Sequence, residues 1–271
     1  MYRCERCHGA FVHPVPDDEA LGKFYTAFHK SDKDGGVYDA METRMQADFP
    51  AKVRMLKSAL ATLGISGPGR VLDVGCGKGF FVKAAQEAGI DAQGIDLSDT
   101  GVEYARNVLK VKARVGRIDS AKDELLRDGG PFDVATFWAT IEHVPDPIGT
   151  LRAIHDVLRL GGILLLDTGI GWDWLDRLLP GRVQWYDPPQ HLHVFSEASM
   201  RVALEKAGFQ TLAFDGCFER SRRRRALRQA RSALAATGLR TAAVLGQIKH
   251  GPFVQTKYPI GNLMSVVARR S

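Results

Sequence analysis

Long apolar runs are missing from this 271-residue sequence. None approaches the ~20 residues of a membrane-spanning helix, and the longest, Gly161 to Leu166, is strand-sized. Met1-Tyr2-Arg3-Cys4 opens no apolar stretch of signal-peptide type, so the cytoplasm is the expected compartment. Cysteine is scarce, and four in a chain of this length do not make a disulfide framework. Cys4 and Cys7 form a CxxC pair, Cys76 lies in a glycine-rich turn and Cys217 stands alone. Positive charge is not evenly spread. The net charge is +6, yet residues 219–250 hold nine Lys or Arg and one acid, which leaves 28 basic against 30 acidic residues elsewhere. The basic character therefore belongs to one segment and says little about what the remainder binds.

What is present is ordinary globular material, 45% apolar and 25% charged, enough for one main core with appendages. From Arg70 onward, short apolar runs alternate with helical stretches. Val71 to Val74, Ile90 to Ile95, Val111 to Val115, Phe132 to Phe137 and Ile163 to Asp167 read as strands. Phe80 to Ala88, Asp99 to Leu109 (capped by Ser98), Ser120 to Arg127, and Pro147 to Leu160 (stopped by Gly161-Gly162) read as helices. This alternation implies a parallel sheet with helices on both faces. Residues 168–195 break the rhythm with three of the four tryptophans, Pro188-Pro189 and His191-x-His193; so long an irregular stretch in a compact domain is usually functional or a lid. Regularity returns with a helix from Ser196 to Ala207, a strand from Phe209 to Phe214 and a last strand from Leu263 to Arg269. Ahead of the core, Met55, Leu56, Ala59, Leu60 and Leu63 recur at helical spacing, with a polar break at Ser31 to Gly36.

The expected fold is α/β, a doubly wound, seven-stranded, mostly parallel sheet with an antiparallel final strand. Its expected parts are a CxxC knuckle at 1–16, a helical N-terminal lid at 17–69, and a core at 70–271 carrying insertions at 168–195 and 219–258.

The chemistry concentrates at Val71-Leu72-Asp73-Val74-Gly75-Cys76-Gly77-Lys78-Gly79. Glycines between a first strand and its helix let the backbone approach a nucleotide closely. An acid ending the second strand can accept hydrogen bonds from ribose hydroxyls, and Asp96 is in that place. The spacing is GxGxG rather than the dehydrogenase GxGxxG, since Phe80 follows Gly79. Open glycines at a helix N-terminus suit a pyrophosphate; Asp73, two residues before the first glycine, suits an ammonium group instead. The alternative is a tight turn without a ligand, against which the two flanking acids argue.

Val71 to Phe81 resembles the cofactor loop of the class I S-adenosylmethionine-dependent methyltransferases. Gly94-Ile95-Asp96-Leu97-Ser98 is similar to their second-strand signature. Phe132-Asp133-Val134 with Ile141-Glu142-His143-Val144-Pro145-Asp146-Pro147 resembles the fourth-strand region of the ubiquinone-methyltransferase-like branch, and Leu158 to Gly162 and His191 to Ser196 are similar to it too. The resemblance covers roughly residues 1 to 215 and the last strand, and it names no substrate. It implies S-adenosylmethionine as cofactor. Asp73 and the loop at Gly75, Cys76, Gly77, Gly79 and Phe80 would hold its methionine end. Asp96 would bind the ribose, Leu97 would lie against the adenine, and Ile118 and Asp119 would sit at the adenine edge. Trp138 and Ala139 would flank the methyl group.

Methyl transfer from a sulfonium is a displacement that proximity and alignment favour, and a base is needed only if the acceptor loses a proton. His143 is the first candidate, with support of the Glu142–Pro147 turn as its other reading. His191 and His193 are the second; alternation aims both at one face if that segment is extended, and strand packing is the other reading. Trp172, Trp174 and Trp185 could wall an apolar acceptor or simply pack. Some relatives bind a divalent ion through two acids and a histidine here, but Ala139 falls where the other acid would be.

Cys4-x-x-Cys7 is half of a zinc site, which needs about four ligands. His8 or His13 could complete it; reduced thiols are the alternative. Residues 219–238 read as a basic helix that is solvated, lies on an anionic membrane surface or, less in keeping with the absence of an RNA-binding module, meets nucleic acid. The function expected is methylation of a small acceptor, on oxygen rather than nitrogen or carbon. An RNA methyltransferase using residues 219–250 and a cofactor-binding module without turnover are the rivals.

Overall fold

The apolar runs after Arg70 become the middle of one sheet in the computed structural model, which describes residues 1–17, 19–21, 37–178, 183–214, 234 and 263–271, with backbone alone for 37–47. In chain order the elements are β1 (Tyr2–Arg3), β2 (Ala10–Phe11), α1 (Val37–Thr62), β3 (Arg70–Val74), α2 (Phe80–Glu87), β4 (Asp91–Asp96), α3 (Asp99–Asn107), β5 (Ala113–Val115), α4 (Ile118–Asp128) and β6 (Phe132–Trp138). A 3₁₀ turn (Ile141–His143) follows, then α5 (Pro147–Val157), β7 (Leu158–Gly169), α6 (Trp174–Leu178), β8 (His193–Val194), α7 (Glu197–Lys206), β9 (Phe209–Phe214) and β10 (Leu263–Arg270).

The main sheet runs β5-β4-β3-β6-β7-β10-β9. The first five strands are parallel, and β10 is antiparallel to both β7 and β9. The strands read as unbroken apolar runs because both faces are covered. Leu164 faces one layer, packed with Leu72, Phe137, Ile154 and Met200; its neighbour Leu165 faces the other, with Leu56, Val71, Phe81 and Ala105. The side chain of Leu56 is fully buried, so its truncation to alanine would cost about 2–5 kcal/mol. Through it α1, the expected lid helix, belongs to the core.

Local chemistry sets the helix ends. The Ser98 hydroxyl accepts from Gly101 N at 3.0 Å, capping α3 as expected. Asp146 caps α5 ahead of Pro147. One boundary differs. The helix expected to reach Leu160 ends at Val157, and β7 starts at Leu158, before Gly161-Gly162. Leu158 pairs with Phe132, and its carbonyl accepts from the Arg270 guanidinium. The glycines sit inside the strand near a register shift in β6–β7, with Gly161 at φ 75°.

The expected knuckle is not a separate body. β1, β2 and β8 form a three-stranded antiparallel sheet, with Ala10 opposite Val194 and Phe11 opposite His193. Only His193 of the His191-x-His193 pair lies in a strand, so the alternation expected to aim both at one face does not apply. The Ser31–Gly36 break, Cys217, and the 219–258 insertion except Leu234 lie outside the described residues. Among the described residues no helix is long and apolar enough to cross a membrane.

Candidate functional site

The crevice lies at the carboxyl ends of β3, β4, β6 and β7, where open α/β sheets hold ligands. After β3 the chain turns back under the end of β4. Gly75 N and Cys76 N both donate to Ile95 O, at 2.8 and 3.1 Å. Asp96 takes Gly77 N on one carboxylate oxygen at 2.7 Å and Ser98 N on the other at 2.8 Å. The loop and the ribose-type acid are thus one structure. Two glycines are required for different reasons. At Gly75, with φ +70°, a Cβ would meet Thr140 Cγ2 at 2.5 Å; at Gly77, with φ +51°, a Cβ would meet nothing within 4 Å.

Cys76 is buried against Gly94, where a Cβ would come within 2.5 Å of its sulfur, so it packs the loop and its side chain does not face a ligand. Phe80 stacks on Phe49 of α1 at 6.3 Å. Leu97, beside Asp96, is 65% exposed, an apolar face open to a planar ring. Ile118 is buried in the core, so the expected adenine-edge contact cannot come from its side chain. Asp119 is hydrogen-bonded to the Arg117 guanidinium at 3.1 Å, which holds its carboxyl below the ordinary range.

Asp73 is almost wholly buried at the end of β3, accepting from Thr136 Oγ1 at 2.6 Å. Burial pushes its pKa to about 7, against the pull of that hydrogen bond and of Lys52. Lys52 belongs to α1. Its ammonium lies 3.2 Å from Asp167 Oδ2 and 4.8 Å from the centre of the Trp138 ring. The other Asp167 oxygen accepts from Ala139 N at 2.9 Å, and Ala139 has φ +45°. Sequence reasoning missed Lys52 and Asp167. Lys52 sits in a helix whose spacing speaks only for its apolar side, and Asp167 was read simply as the end of a strand.

Beyond Ala139 the 3₁₀ turn carries Glu142 and His143. Leu192 N donates to Glu142 O at 2.8 Å, drawing the 183–195 stretch over the turn. His143 and His191 come to 4.9 Å between ring centres. His143 Nδ1 lies 2.7 Å from Gln190 O, and His191 Nδ1 lies 2.8 Å from Trp185 O. A carbonyl oxygen only accepts, so both Nδ1 atoms carry the proton and both Nε2 atoms carry a lone pair. Burial lowers both pKa values, and the His143 ring lowers that of His191 further. Glu142 is buried, accepts from Thr168 Oγ1 at 2.9 Å, and is raised to about 7 by burial. The donor atoms of Glu142, His143 and His191 lie within 4.8 Å of one another, so the three could hold a cation. His191, from a distant element, supplies the third donor that Ala139 denies the local sequence.

His193 does not join this group. Its ring packs on Phe195 at 5.9 Å, and its buried Nε2 has no partner among the described residues. Of the tryptophans, Trp185 lies 6.3 Å from His191, whereas Trp172 stacks on His8 at 4.4 Å in the knuckle.

The chain is similar to known proteins in sequence and in fold. The model of a methyltransferase domain matches residues 44–213, more than half of the chain. This chain belongs to the class I S-adenosylmethionine-dependent methyltransferases, in their ubiquinone-methyltransferase-like branch. A ubiquinone biosynthesis O-methyltransferase of Xanthomonas oryzae pv. oryzae is 34% identical over 180 residues, 59% of this chain and 74% of that one. Its counterpart in Xanthomonas campestris pv. campestris is 32% identical over 161 residues, and the match spans 66% of its length, just under two thirds. The fold is also that of magnesium protoporphyrin IX methyltransferase from Synechocystis PCC 6803 with bound S-adenosylmethionine, at TM-score 0.53 and 15% identity over 96% of this chain and all of that one.

The residues present suit such a methyl donor. Its ammonium matches a buried carboxyl, its carboxylate matches a lysine, its ribose matches an anchored acid, and the backbone leaves open space at Gly77.

Proposed function

We propose that this methyltransferase moves a methyl group from S-adenosylmethionine to a hydroxyl of a small acceptor. The observation that carries the oxygen preference is the pair of imidazoles, His143 and His191, each tied at Nδ1 to a carbonyl so that Nε2 is basic. When bound, S-adenosylmethionine supplies an electrophilic methyl group on a good leaving group.

The chain's own residues do the rest. Asp73 binds the ammonium and Lys52 the carboxylate of the methionine end. Asp96, held by two backbone amides, accepts from the ribose hydroxyls, and Leu97 covers the adenine. Trp138 and Ala139 flank the reacting carbon. Nε2 of His143 or His191 takes the acceptor's proton, and the Glu142 carboxylate favours the imidazolium that results. Trp185 gives the acceptor an apolar wall. The relatives named ubiquinone biosynthesis O-methyltransferases support oxygen as the acceptor atom.

Calorimetric titration with S-adenosylmethionine, on the parent and on Asp96→Ala, tests the cofactor half. Micromolar binding that falls about 100-fold in the variant is expected from the loss of two charge-assisted bonds. A folded parent that binds neither the donor nor its demethylated product overturns the reading.

A further inference from the structure

Asp176, in α6, is a buried acid that the reading above does not use, and it is heavily bonded. One of its carboxylate oxygens accepts from Arg3 Nη1 and Nη2, each at 3.1 Å, from the Tyr186 hydroxyl at 2.7 Å and from Trp172 N at 2.8 Å. Arg3 Nη2 also donates to the Tyr186 oxygen at 2.6 Å, and the guanidinium lies 4.6 Å from the centre of the Trp172 ring. Burial and the Asp176 carboxylate hold the Tyr186 phenol above its ordinary range, so its hydroxyl keeps the proton it donates. Removing one partner from such a set leaves the others buried and unpaired, so the set fixes the chain segments it joins.

Those segments are β1, α6 and the stretch that carries Trp185 and Tyr186. Two glycines past the end of β7 make room for that stretch. A Cβ at Gly169 would lie 2.3 Å from the Trp185 ring, and one at Gly171 would lie 3.0 Å from the Tyr186 hydroxyl. The Tyr186 ring packs with Leu175, Val183 and Val194 in a small apolar cluster of its own. Tyr186 is therefore held at its ring by packing and at its hydroxyl by the ion pair.

The residues on either side of Tyr186 hold His191. Trp185 O lies 2.8 Å from His191 Nδ1, and Asp187 O accepts from His191 N at 2.8 Å. A carbonyl at Nδ1 keeps the ring proton there and leaves the lone pair on Nε2. If the Trp185 carbonyl moved away, the proton would be free to pass to Nε2, and that nitrogen would cease to be a base. The placing of Tyr186 thus governs which nitrogen of His191 is basic and where it points.

We propose that Arg3, Asp176 and Tyr186 are positioning residues for methyl transfer: they fix the Trp185 carbonyl and, through it, the tautomer and direction of the His191 ring. This rests on the reading of the histidines as the base. Arg3 and Asp176 stand 173 residues apart in the chain, so β1 contributes to the site without entering the crevice.

The test reads the imidazoles directly, by nitrogen–proton correlation NMR on the full chain with labelled histidine, at ~pH 8 where the rings are neutral. The His191 signal is assigned by its loss in His191→Ala. In the parent its proton is expected on Nδ1. Asp176→Ala is expected to shift it largely to Nε2, the form a free histidine prefers. The His191 titration midpoint then falls by about 0.7 pH unit, the worth of one hydrogen bond, since the Trp185 bond opposes the lowering by burial while His143, Glu142 and Asp187 still face the ring. Asp176→Asn keeps an oxygen acceptor and retains the parent tautomer. Tyr186→Phe reproduces the shift in part, and decides alone should Asp176→Ala fail to fold. Leu56→Ala, a core truncation, destabilises the chain and leaves the His191 signal in place. A signal unmoved in Asp176→Ala and Tyr186→Phe, or moved as far by Leu56→Ala, overturns the proposal. Methyl transfer to phenol that is undiminished in His191→Ala also overturns it, by leaving the proton to His143. Transfer undiminished with both histidines replaced by alanine overturns the base reading itself.

Discussion

Lys52 reaches from the N-terminal helix to the end of β7, its ammonium 3.2 Å from the Asp167 carboxylate and its stem along Trp138. One ion pair thus joins a helix outside the alternating core to the strand end where the methyl acceptor would approach. Lys52→Met keeps the stem and removes the charge. Cofactor affinity is expected to fall about 10- to 100-fold, the worth of one charge-assisted bond. Asp167, left without its cation, lowers stability by about 2 kcal/mol. Calorimetry and a thermal melt separate the two effects. Unchanged affinity would remove Lys52 from the cofactor site.

Asp73 predicts a pH dependence of stability. The native carboxyl holds its proton to about pH 7, whereas the unfolded chain releases it near ~4. Between those limits the native state binds more protons, so stability falls as pH rises from ~4 to about 7 and is level above. Glu142, also raised to about 7, acts in the same direction. In Asp73→Asn the Thr136 hydroxyl keeps an acceptor and the buried charge is gone. This variant should melt several degrees above the ligand-free parent at pH 8 and level with it at pH 4, while losing cofactor binding. A lower melting point at pH 8 would contradict the assignment.

The two crevice glycines should fail differently. Gly75→Ala drives a methyl into Thr140 and adds left-handed strain, costing about 2–3 kcal/mol. Gly77→Ala meets no protein atom; it pays only about 1 kcal/mol of backbone strain and places its methyl in the open space assigned to the cofactor. The first is expected to show in the melting curve, the second in the titration with S-adenosylmethionine.

His143 and His191 should set the acid limb of the pH–rate profile below the ordinary histidine value of ~6.5, because burial holds both neutral. Activity rises with pH through that limb as the bases lose their protons. The Glu142 charge raises His191, so Glu142→Gln should move the limb to lower pH and reduce kcat. Alanine at whichever histidine takes the proton should cost about 10²–10⁴ in kcat. A profile that stays in place in Glu142→Gln would detach Glu142 from the base.

Where a role depended on neighbours in the chain, it was legible in the sequence. Gly75, Gly77 and Asp96 meet in the structure because β3 and β4 are consecutive, parallel and paired. The Ser98 cap is likewise a local matter. What the sequence could not show came from separated elements. Lys52 reaches the crevice through the packing of α1 on α2, a fact no period records. His191 reaches His143 because Leu192 N bonds to Glu142 O across fifty residues of chain, while His193, matched to it by alternation, is carried away by pairing with β2. The end of α5 was misplaced because two glycines that stop a helix also serve a bulged strand.

Strand order also dictates when the fold can be finished. Residues 263–270 lie between β7 and β9, so among the described residues β9 has no sheet partner while translation is still short of them. Tyr2 to Phe11 emerge well before their partners at Asp176, Tyr186 and Val194, which are made more than 170 residues later. Both closures are long-range and therefore slow, and until they occur β7 presents an open apolar edge. A nascent chain of this protein is thus most exposed to aggregation after its cofactor loop is made and before residues 263–270 are.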